Sequence, residues 1–482
     1  MVDLRPVGYV IGLLLAALGV SMLVPMGVDL VAKTGHWQAF LQAAVVTGLL
    51  GAFVSLACGN AAKRGLTIQQ SFLLTTMVWA ILPVFGALPF VFGATNAPFV
   101  DAMFEAMSGM TTTGSTVFSE LERLPEGLLL WRSMLQWFGG IGIVVVAMVF
   151  LPELRVGGMQ VFRSEGFDTM GKILPRATQI SGQISTIYIV LTVLCTMAYA
   201  AAGQTFFQAI NHAMTTVATG GFATSDASFA AHPGASEYIA VVFMIAASLP
   251  FVRYIQLVGG SAQPLLRDSQ VRAFLWTLSA AVLILILWRI ADGTPLLRAV
   301  REVLFNTTSL MTGTGYASAD YQLWGPFAVA ILFFLGLVGG CAGATCCSVK
   351  IFRYQILLSS IKAQIRRIHS PHGVFTPRFD GRPVSDDVLS SVMGFFVLFI
   401  VSIGLFAVAL GATGLDMVTS ISGAATAIAN IGPGFGDTIG PTGGFGDLNA
   451  TAKWLLIAAM LIGRLEIMSV FLLLSVQFWR AT

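Results

Sequence analysis

Charge is what this sequence has least of. Asp, Glu, Lys and Arg make up 10% of its 482 residues, whereas a soluble domain carries about a quarter. With 56% hydrophobic residues and a mean hydropathy of +0.83, that scarcity excludes an ordinary soluble domain and leaves a polytopic membrane protein. Histidine and cysteine are sparse too, at five each. Cys58, Cys195, Cys341, Cys346 and Cys347 show no metal-ligand spacing with histidine. Buried free thiols are therefore expected, not a metal centre or a disulfide framework. No cluster of titratable groups stands at membrane depth, and His212 has no obvious partner. This disfavours a membrane enzyme, and no covalently bound cofactor is expected. The first apolar run lacks a small-residue cleavage site and is long enough to span, so it reads as a retained helix. A net charge of +3 points to cytoplasmic loop bias and not to nucleic acid.

Long hydrophobic runs are abundant. A spanning helix needs about 20 apolar residues, and ten segments qualify. Val7–Val31 and Phe40–Cys58 form an amino-terminal hairpin. Four units follow, with spans at Ser71–Phe92 and Leu128–Leu151, Ile180–Ala202 and Tyr238–Val258, Ala273–Ile290 and Phe327 onward as far as Ile368, and Val388–Leu410 and Trp454–Gln477. Between the two spans of each unit lies an apolar run too short to cross: Pro98–Met110, Phe206–Thr216, Pro295–Met311 and Leu415–Ala429. These read as re-entrant half-helices. The expected divisions are 1–66 for the hairpin, then 67–178, 179–268, 269–384 and 385–482 for the units.

Each half-helix ends in a polar, Gly-rich loop. These are Thr111-Thr112-Thr113-Gly114, Thr219-Gly220-Gly221-Phe222, Thr312-Gly313-Thr314-Gly315-Tyr316 and Asn430-Ile431-Gly432-Pro433-Gly434-Phe435. Aligned on Gly114, Gly221, Gly315 and Gly434, they recur at intervals of 107, 94 and 119 residues. Gly432 also qualifies in the last unit. Four such loops around one axis could supply backbone carbonyls to a dehydrated cation. Irregular backbone at membrane depth is tolerated where it is buried or lines water, and half-helix carboxyl ends carry partial negative charge. The bland alternative is helix caps and packing glycines. A cation-coupled carrier with broken helices is the rival transport reading.

Several stretches together resemble one family. Ser108-Gly109-Met110-Thr111-Thr112-Thr113-Gly114, Leu135-Gln136-Trp137-Phe138-Gly139-Gly140-Ile141-Gly142, Gly339-Gly340-Cys341-Ala342-Gly343-Ala344-Thr345 and Gly463-Arg464-Leu465-Glu466 are similar to the Trk-type bacterial potassium uptake subunits (TrkH, TrkG and TrkI kinds). The resemblance covers essentially the whole chain. It implies four pseudo-symmetric helix–pore-helix–helix repeats around one pore per chain, with potassium as the ion. It also implies a homodimer in the inner membrane, gated by a cytoplasmic TrkA-like nucleotide-binding ring. The implied filter comprises Thr111, Thr112, Thr113, Gly114, Thr219, Gly220, Gly221, Gly313, Thr314, Gly315, Asn430, Ile431, Gly432, Pro433 and Gly434. Potassium against sodium stays open at this point, as does passive against proton-coupled transport.

Two further features bear on gating. Arg464 sits inside an apolar span, where a charge is costly and marks function by default. The resemblance puts it below the filter, lining the pore; a structural pairing with Glu466 or a carbonyl is the alternative. The run Gly339 to Ser348 interrupts the unit-three span, and the resemblance makes it a mobile loop, with Gly343, Thr345, Cys346 and Cys347 as gating residues. Small-residue helix packing is its alternative. Cys346-Cys347-Ser348 should stiffen the second half and favour helix. Placing the amino terminus in the cytoplasm puts 17 of the 26 Lys and Arg residues inside and seven outside, as the positive-inside bias requires. Seven of the inner ones fall between Lys350 and Arg382, either as plain loop bias or as a docking surface for the regulatory ring.

Overall fold

The computed structural model describes residues 3–61, 66–149, 177–465, 467–475 and 478–479. Lys63, Arg64, Arg155, Arg163, Lys172, Arg176, Glu466 and Arg480 lie outside the described residues.

The chain folds as an all-α membrane protein of four pseudo-symmetric repeats around a central pore, preceded by a two-helix hairpin. The hairpin pairs Arg5–Ser21, continued by Leu23–Ala32, with Trp37–Cys58. Its helices touch along glycines. A Cβ on Gly12 would run into the backbone at Ser55, and one on Gly19 into Gly48, the close approach that small residues allow where lipid supplies no hydrophobic drive.

The leading helices of the repeats are Ile68–Gly86 with Leu88–Phe92, then Ala177–Ala201, Ser269–Ala291 and Asp386–Ala412. The pore helices are Phe99–Met110, Phe206–Val217, Leu296–Met311 and Met417–Ala429. Their starts are legible chemically. Pro98 and Pro295 cap the first and third, where the missing N–H costs nothing. Thr205 and Gln208 form a reciprocal capping box on the second, and the Asp416 carboxylate accepts the Thr419 N–H on the fourth at 3.0 Å.

The closing helices depart from the expected ten continuous spans. Among the described residues seven helices are long and apolar enough to cross, and two bent pairs raise the number to nine. Only repeat 1 closes with one long helix, Glu126–Val149. In repeat 2 the expected Tyr238–Val258 span breaks between Ala235–Ala247 and Phe251–Val258, with a bend of 92°. Pro250 explains the break, because it lacks the N–H the helix needs and biases Leu249 away from helical backbone. In repeat 3, Pro326–Gly336 and Ile351–His369 are separated by an irregular stretch, 337–350. Repeat 4 turns after Arg464, between Ala450–Arg464 and Ile467–Leu474. All three breaks fall inside a closing helix.

Two large apolar cores, beside several smaller clusters, hold this frame. One joins the hairpin to repeats 1 and 2 around Trp131, Tyr188, Tyr199 and Phe229. The other joins the first pore helix to repeats 3 and 4 through Phe104, Phe395, Phe399 and Phe435. The pore helices are thus buried between leading and closing helices, with their carboxyl ends brought together.

Candidate functional site

Every pore helix ends in the same turn. Thr112, Thr219, Gly313 and Asn430 adopt left-handed backbone, with φ of +54°, +52°, +73° and +52°. The following N–H reaches back five residues: Thr113 to Ser108 at 2.8 Å, Gly220 to Thr215 at 2.8 Å, Thr314 to Ser309 at 2.9 Å and Ile431 to Thr426 at 3.1 Å. This is the Schellman ending, which satisfies the last helix carbonyls and turns the chain sharply. One residue later comes a glycine with positive φ: Gly114 (88°), Gly221 (81°), Gly315 (82°) and Gly432 (105°).

The register of repeat 4 therefore differs from the sequence alignment. Gly432, not Gly434, is the counterpart of Gly114, Gly221 and Gly315, and the last interval is 117 residues (315 to 432) instead of 119. The aromatic after the glycine misleads here. Phe435 follows Gly432 by three positions, and Pro433 and Gly434 are inserted before it. Gly434 packs against Ile439, within its own repeat.

The four glycines close a ring. A Cβ on Gly114 would strike the Gly220 carbonyl, one on Gly221 the Thr314 carbonyl, one on Gly315 the Ile431 carbonyl, and one on Gly432 the Thr113 carbonyl. Repeats thus meet in chain order, each glycine against the carbonyl that precedes the next repeat's glycine. Side chains brace the ring. Gln136 spans repeat 2, donating to the Gly220 carbonyl at 2.5 Å and accepting from the Phe222 N–H at 3.0 Å. Asn430 donates to Thr113 Oγ1 at 2.9 Å, and Ser115 Oγ donates to the Gly432 carbonyl at 2.7 Å.

A second set of contacts fixes the chain as it leaves the ring. Glu105, His212 and Asn306 each lie nine residues before their glycine, and each accepts the N–H three residues after it. The pairs are Glu105 with Val117 at 2.9 Å, His212 Nε2 with Thr224 at 3.4 Å and Asn306 with Ser318 at 3.1 Å. In repeat 4 the ninth place is Gly423, and Ser422 accepts the Phe435 N–H at 2.9 Å instead. His212 is therefore not without a partner. With Nε2 accepting, its Nδ1–H donates to Gln204 Oε1 at 2.8 Å. Glu105 also pairs with Arg132 at 2.7 Å, and both are buried. Arg132, counted on the outer side from the sequence, holds the Ala223 carbonyl at 3.0 Å and covers the Phe222 ring at 4.2 Å.

Above the ring opens a cavity of about 210 Å³, with Gly114, Gly221, Gly315 and Gly432 on its wall beside Ser115, Ser225, Asp226 and Ser228. Below lies one of about 40 Å³, lined by Cys346, Cys347, Ser348, Lys350, Arg353, Asn430 and Arg464 among others. Three cationic residues crowd this lower side. Arg353, counted with the cytoplasmic loops from the sequence, is buried and sits 3.7 Å from the Phe395 ring centroid.

The 337–350 stretch fills the space under the ring. Its backbone is bonded to its neighbours: Cys341 N–H to the Ser248 carbonyl, Thr345 N–H to Ala247, Ser348 N–H to Ala429, and the Gly343 carbonyl from Phe251 N–H. The broken end of the repeat 2 helix thus supplies two of the carbonyls that receive this loop, and the end of the fourth pore helix a third. The expected helical character of Cys346-Cys347-Ser348 is absent. Ser348 is left-handed (φ +60°), and its hydroxyl bonds the Gly336 carbonyl at 2.7 Å. Arg464 is 4% exposed. Its guanidinium donates to the Gly139 carbonyl at 3.0 Å and to the Cys347 sulfur, and it lies 5.4 Å from the Trp79 ring. The partners of Arg464 among the described residues include that carbonyl, while Glu466 falls outside them.

A closed ring of carbonyls at four helix carboxyl ends, open above and guarded by cationic side chains below, is suited to a dehydrated cation. The comparisons agree. The cation transport protein model named TrkH matches residues 36–480.

The chain belongs to the TrkH family.

Among its relatives, the Trk system potassium uptake protein TrkI of Halomonas elongata is 42% identical over 478 residues, covering 98% of this chain and 97% of that one. The Trk system potassium uptake protein TrkH of Escherichia coli K12 is 34% identical, with 99% of each covered. The crystal structure of the potassium transporter TrkH from Vibrio parahaemolyticus superposes with a TM-score of 0.92 at 33% identity, over 99% of this chain and all of that one.

In this family member the sequence singled out the ring loops, Arg464 and the 337–350 stretch, and the fold brings all three together. It did not single out the bracing residues Glu105, Asn306 and Ser422. A buried polar side chain nine or ten positions before each glycine was the available signal.

Proposed function

We propose that this chain carries potassium ions into the bacterial cell through the ring of four loops. The observation that supports this most is the closure of Gly114, Gly221, Gly315 and Gly432 against the carbonyls of the adjoining repeats. Carbonyl oxygens then replace the hydration shell of the ion, with Thr111 to Thr113, Thr219-Gly220, Gly313-Thr314 and Asn430 to Gly432 as the filter. Pro433 and Gly434 shape the loop behind it. The names printed for the relatives support potassium as the ion. Cys346, Cys347 and Arg464, with Gly343 and Thr345, form the closure beneath.

On this reading the protein is a homodimer in the inner membrane with its amino terminus in the cytoplasm. The chain divides into a hairpin (1–66) and repeats at 67–178, 179–268, 269–384 and 385–482. A cytoplasmic TrkA-like nucleotide-binding partner acts on the loop through the segment after it. Lys362, Arg366, Arg367, Arg378 and Arg382 are exposed there and offer a basic docking face. The decisive experiment is rubidium uptake by the purified chain in liposomes, competed by potassium or sodium. Uptake blocked by potassium and spared by sodium is expected. Equal competition would favour a less selective cation transporter, and absence of flux would overturn the reading.

A further inference from the structure

We propose that Cys346 and Cys347 form a binding site for a soft monovalent cation of the Ag(I) or Cu(I) kind. An ion of this class descending the pore stops there and blocks it. The proposal rests on the permeation reading above for how the ion arrives, but not for whether it binds.

Cys346 and Cys347 both line the small cavity directly under the ring, together with Asn430 of the ring itself. Cys347 is central to it. Its sulfur lies 3.5 Å from the hydroxyl of Thr112, the left-handed residue of repeat 1. It also accepts from Arg464 of repeat 4, and its Cβ is 3.6 Å from where a Cβ on Gly313 of repeat 3 would stand. Three repeats therefore meet at this one side chain. Cys346 is 1% exposed and Cys347 6%, and all five cysteines are free. The two thiols are available as ligands.

The chemistry selects the ion. A hard cation is satisfied by the carbonyl oxygens above and gains little from sulfur, whereas thiolates select soft d10 ions such as Cu(I). Zinc sites take four protein ligands, or three with a water. Among the described residues no group of three or more His, Cys, Asp or Glu side chains could hold a metal. A two-coordinate monovalent ion needs only the pair. Binding runs as two thiols plus one Ag⁺ giving an S–Ag–S complex of charge −1 and two released protons, so that metal uptake is coupled to deprotonation. The complex would not be left uncompensated. Lys350 Nζ lies 3.4 Å from the Cys346 sulfur and Arg464 touches that of Cys347, two fixed positive charges where the new negative charge forms. The same monovalent charge suits the ion to the route potassium takes. Cys58 and Cys195 lie on leading or hairpin helices, and Cys341 does not line this cavity.

The test uses the full chain in two assays. In liposomes, rubidium uptake is titrated with silver nitrate in chloride-free medium, each variant normalised to its own silver-free flux. The parent and C58S/C195S/C341S should be blocked alike, while C346S/C347S should need about tenfold more silver or beyond; C347A serves if the double variant does not fold. Equal block of parent and double variant would overturn the proposal. Separately, silver retained by detergent-purified protein after gel filtration is measured by elemental analysis. C58S/C195S/C341S should hold one ion per chain, and further C346S/C347S substitution should remove it. Retained silver without rubidium flux in the parent would sink the permeation reading and leave the site standing. Flux without retained silver would sink the site alone.

Discussion

Gly432 stands so close to Thr113 that a Cβ on it would come within 2.9 Å of the Thr113 carbonyl oxygen, and this approach joins the last repeat to the first. It makes the loops a ring and not a row, and it separates two glycines that look equivalent in the sequence. Gly432→Ala puts a methyl group into that carbonyl on a backbone with φ of 105°, a region where L side chains are strained. The preference for potassium over sodium should fall about tenfold or more, since roughly 1.4 kcal/mol of distortion is a factor of ten. Gly434→Ala meets the Ile439 and Ser422 side chains of its own repeat and not a ring carbonyl, and should keep the preference. Competition of rubidium uptake by the two ions reads both. A larger loss in Gly434→Ala would return the filter position to Gly434.

The bracing contacts behind the ring give a second prediction. Asn306 accepts the Ser318 N–H at 3.1 Å and donates to the Glu302 carbonyl at 2.8 Å. Asn306→Leu removes the acceptor for a part-buried N–H, which costs about 1–3 kcal/mol, and Asn306→Asp restores it. Glu105→Gln keeps an acceptor for Val117 but leaves Arg132 without its carboxylate, where breaking a buried pair costs about 3–5 kcal/mol. Glu105→Gln should therefore lower the thermal unfolding midpoint in detergent more than Asn306→Leu does. The reverse order would count against the Arg132 pair as the main brace.

How much of this was readable beforehand follows from what each feature depends on. The pore helices were, nearly to the residue, because they are apolar runs bounded by Pro98, Thr205, Pro295 and Asp416 and cut off by Gly-rich loops. The ring glycine of repeat 4 was not, because Gly432 and Gly434 differ only in backbone angle, and left-handed Asn430 carries no glycine to announce the turn. The broken closing helices were legible only in part. Pro250 is a visible helix breaker, but no proline marks the bend after Arg464. Arg132 looked like an outer-loop charge because its partner, Glu105, belongs to a different helix.

At the rim of the cavity above the ring the loops of repeats 1 and 2 clasp each other. The Glu122 carboxylate accepts from Ser225 Oγ at 2.5 Å and from the Asp226 N–H at 3.1 Å, while Asp226 accepts the N–H groups of Glu120 and Leu121 at 2.7 and 3.2 Å. The Ser225 hydroxyl, followed by backbone N–H groups, holds the Glu122 carboxyl below its ordinary value. A depressed carboxylate stabilises the fold above the ordinary value, about 4.3, and loses that contribution as pH falls through the folded one. Amide exchange at Asp226 should therefore accelerate as pH drops below about 4 relative to the exchange of an unclasped peptide. Glu122→Gln should abolish that dependence. A pH response that survives in Glu122→Gln would assign it to another group.

Arg464 ties the loop beneath the ring to two other elements, and the geometry says what its removal should do. Its guanidinium holds the Gly139 carbonyl of the repeat 1 closing helix and the Cys347 sulfur of the 337–350 stretch, so one side chain bridges repeats 1, 3 and 4. It also places a fixed positive charge on the wall of the cavity beneath the ring, and on the proposed route a cation leaving the ring passes that charge. Arg464→Ala removes the tether and the charge together. Rubidium uptake without any regulatory partner should rise by about tenfold if the two are worth roughly 1.4 kcal/mol to the closed state. Arg464→Lys separates the contributions. It keeps the charge but cannot reproduce the forked donors that reach both Gly139 and Cys347, so uptake should fall between parent and alanine variant if tether and charge both count. Uptake by Arg464→Lys at the parent level would assign closure to charge alone, and uptake at the alanine level would assign it to the tether. Arg464→Ala at or below the parent level would remove Arg464 from gating altogether.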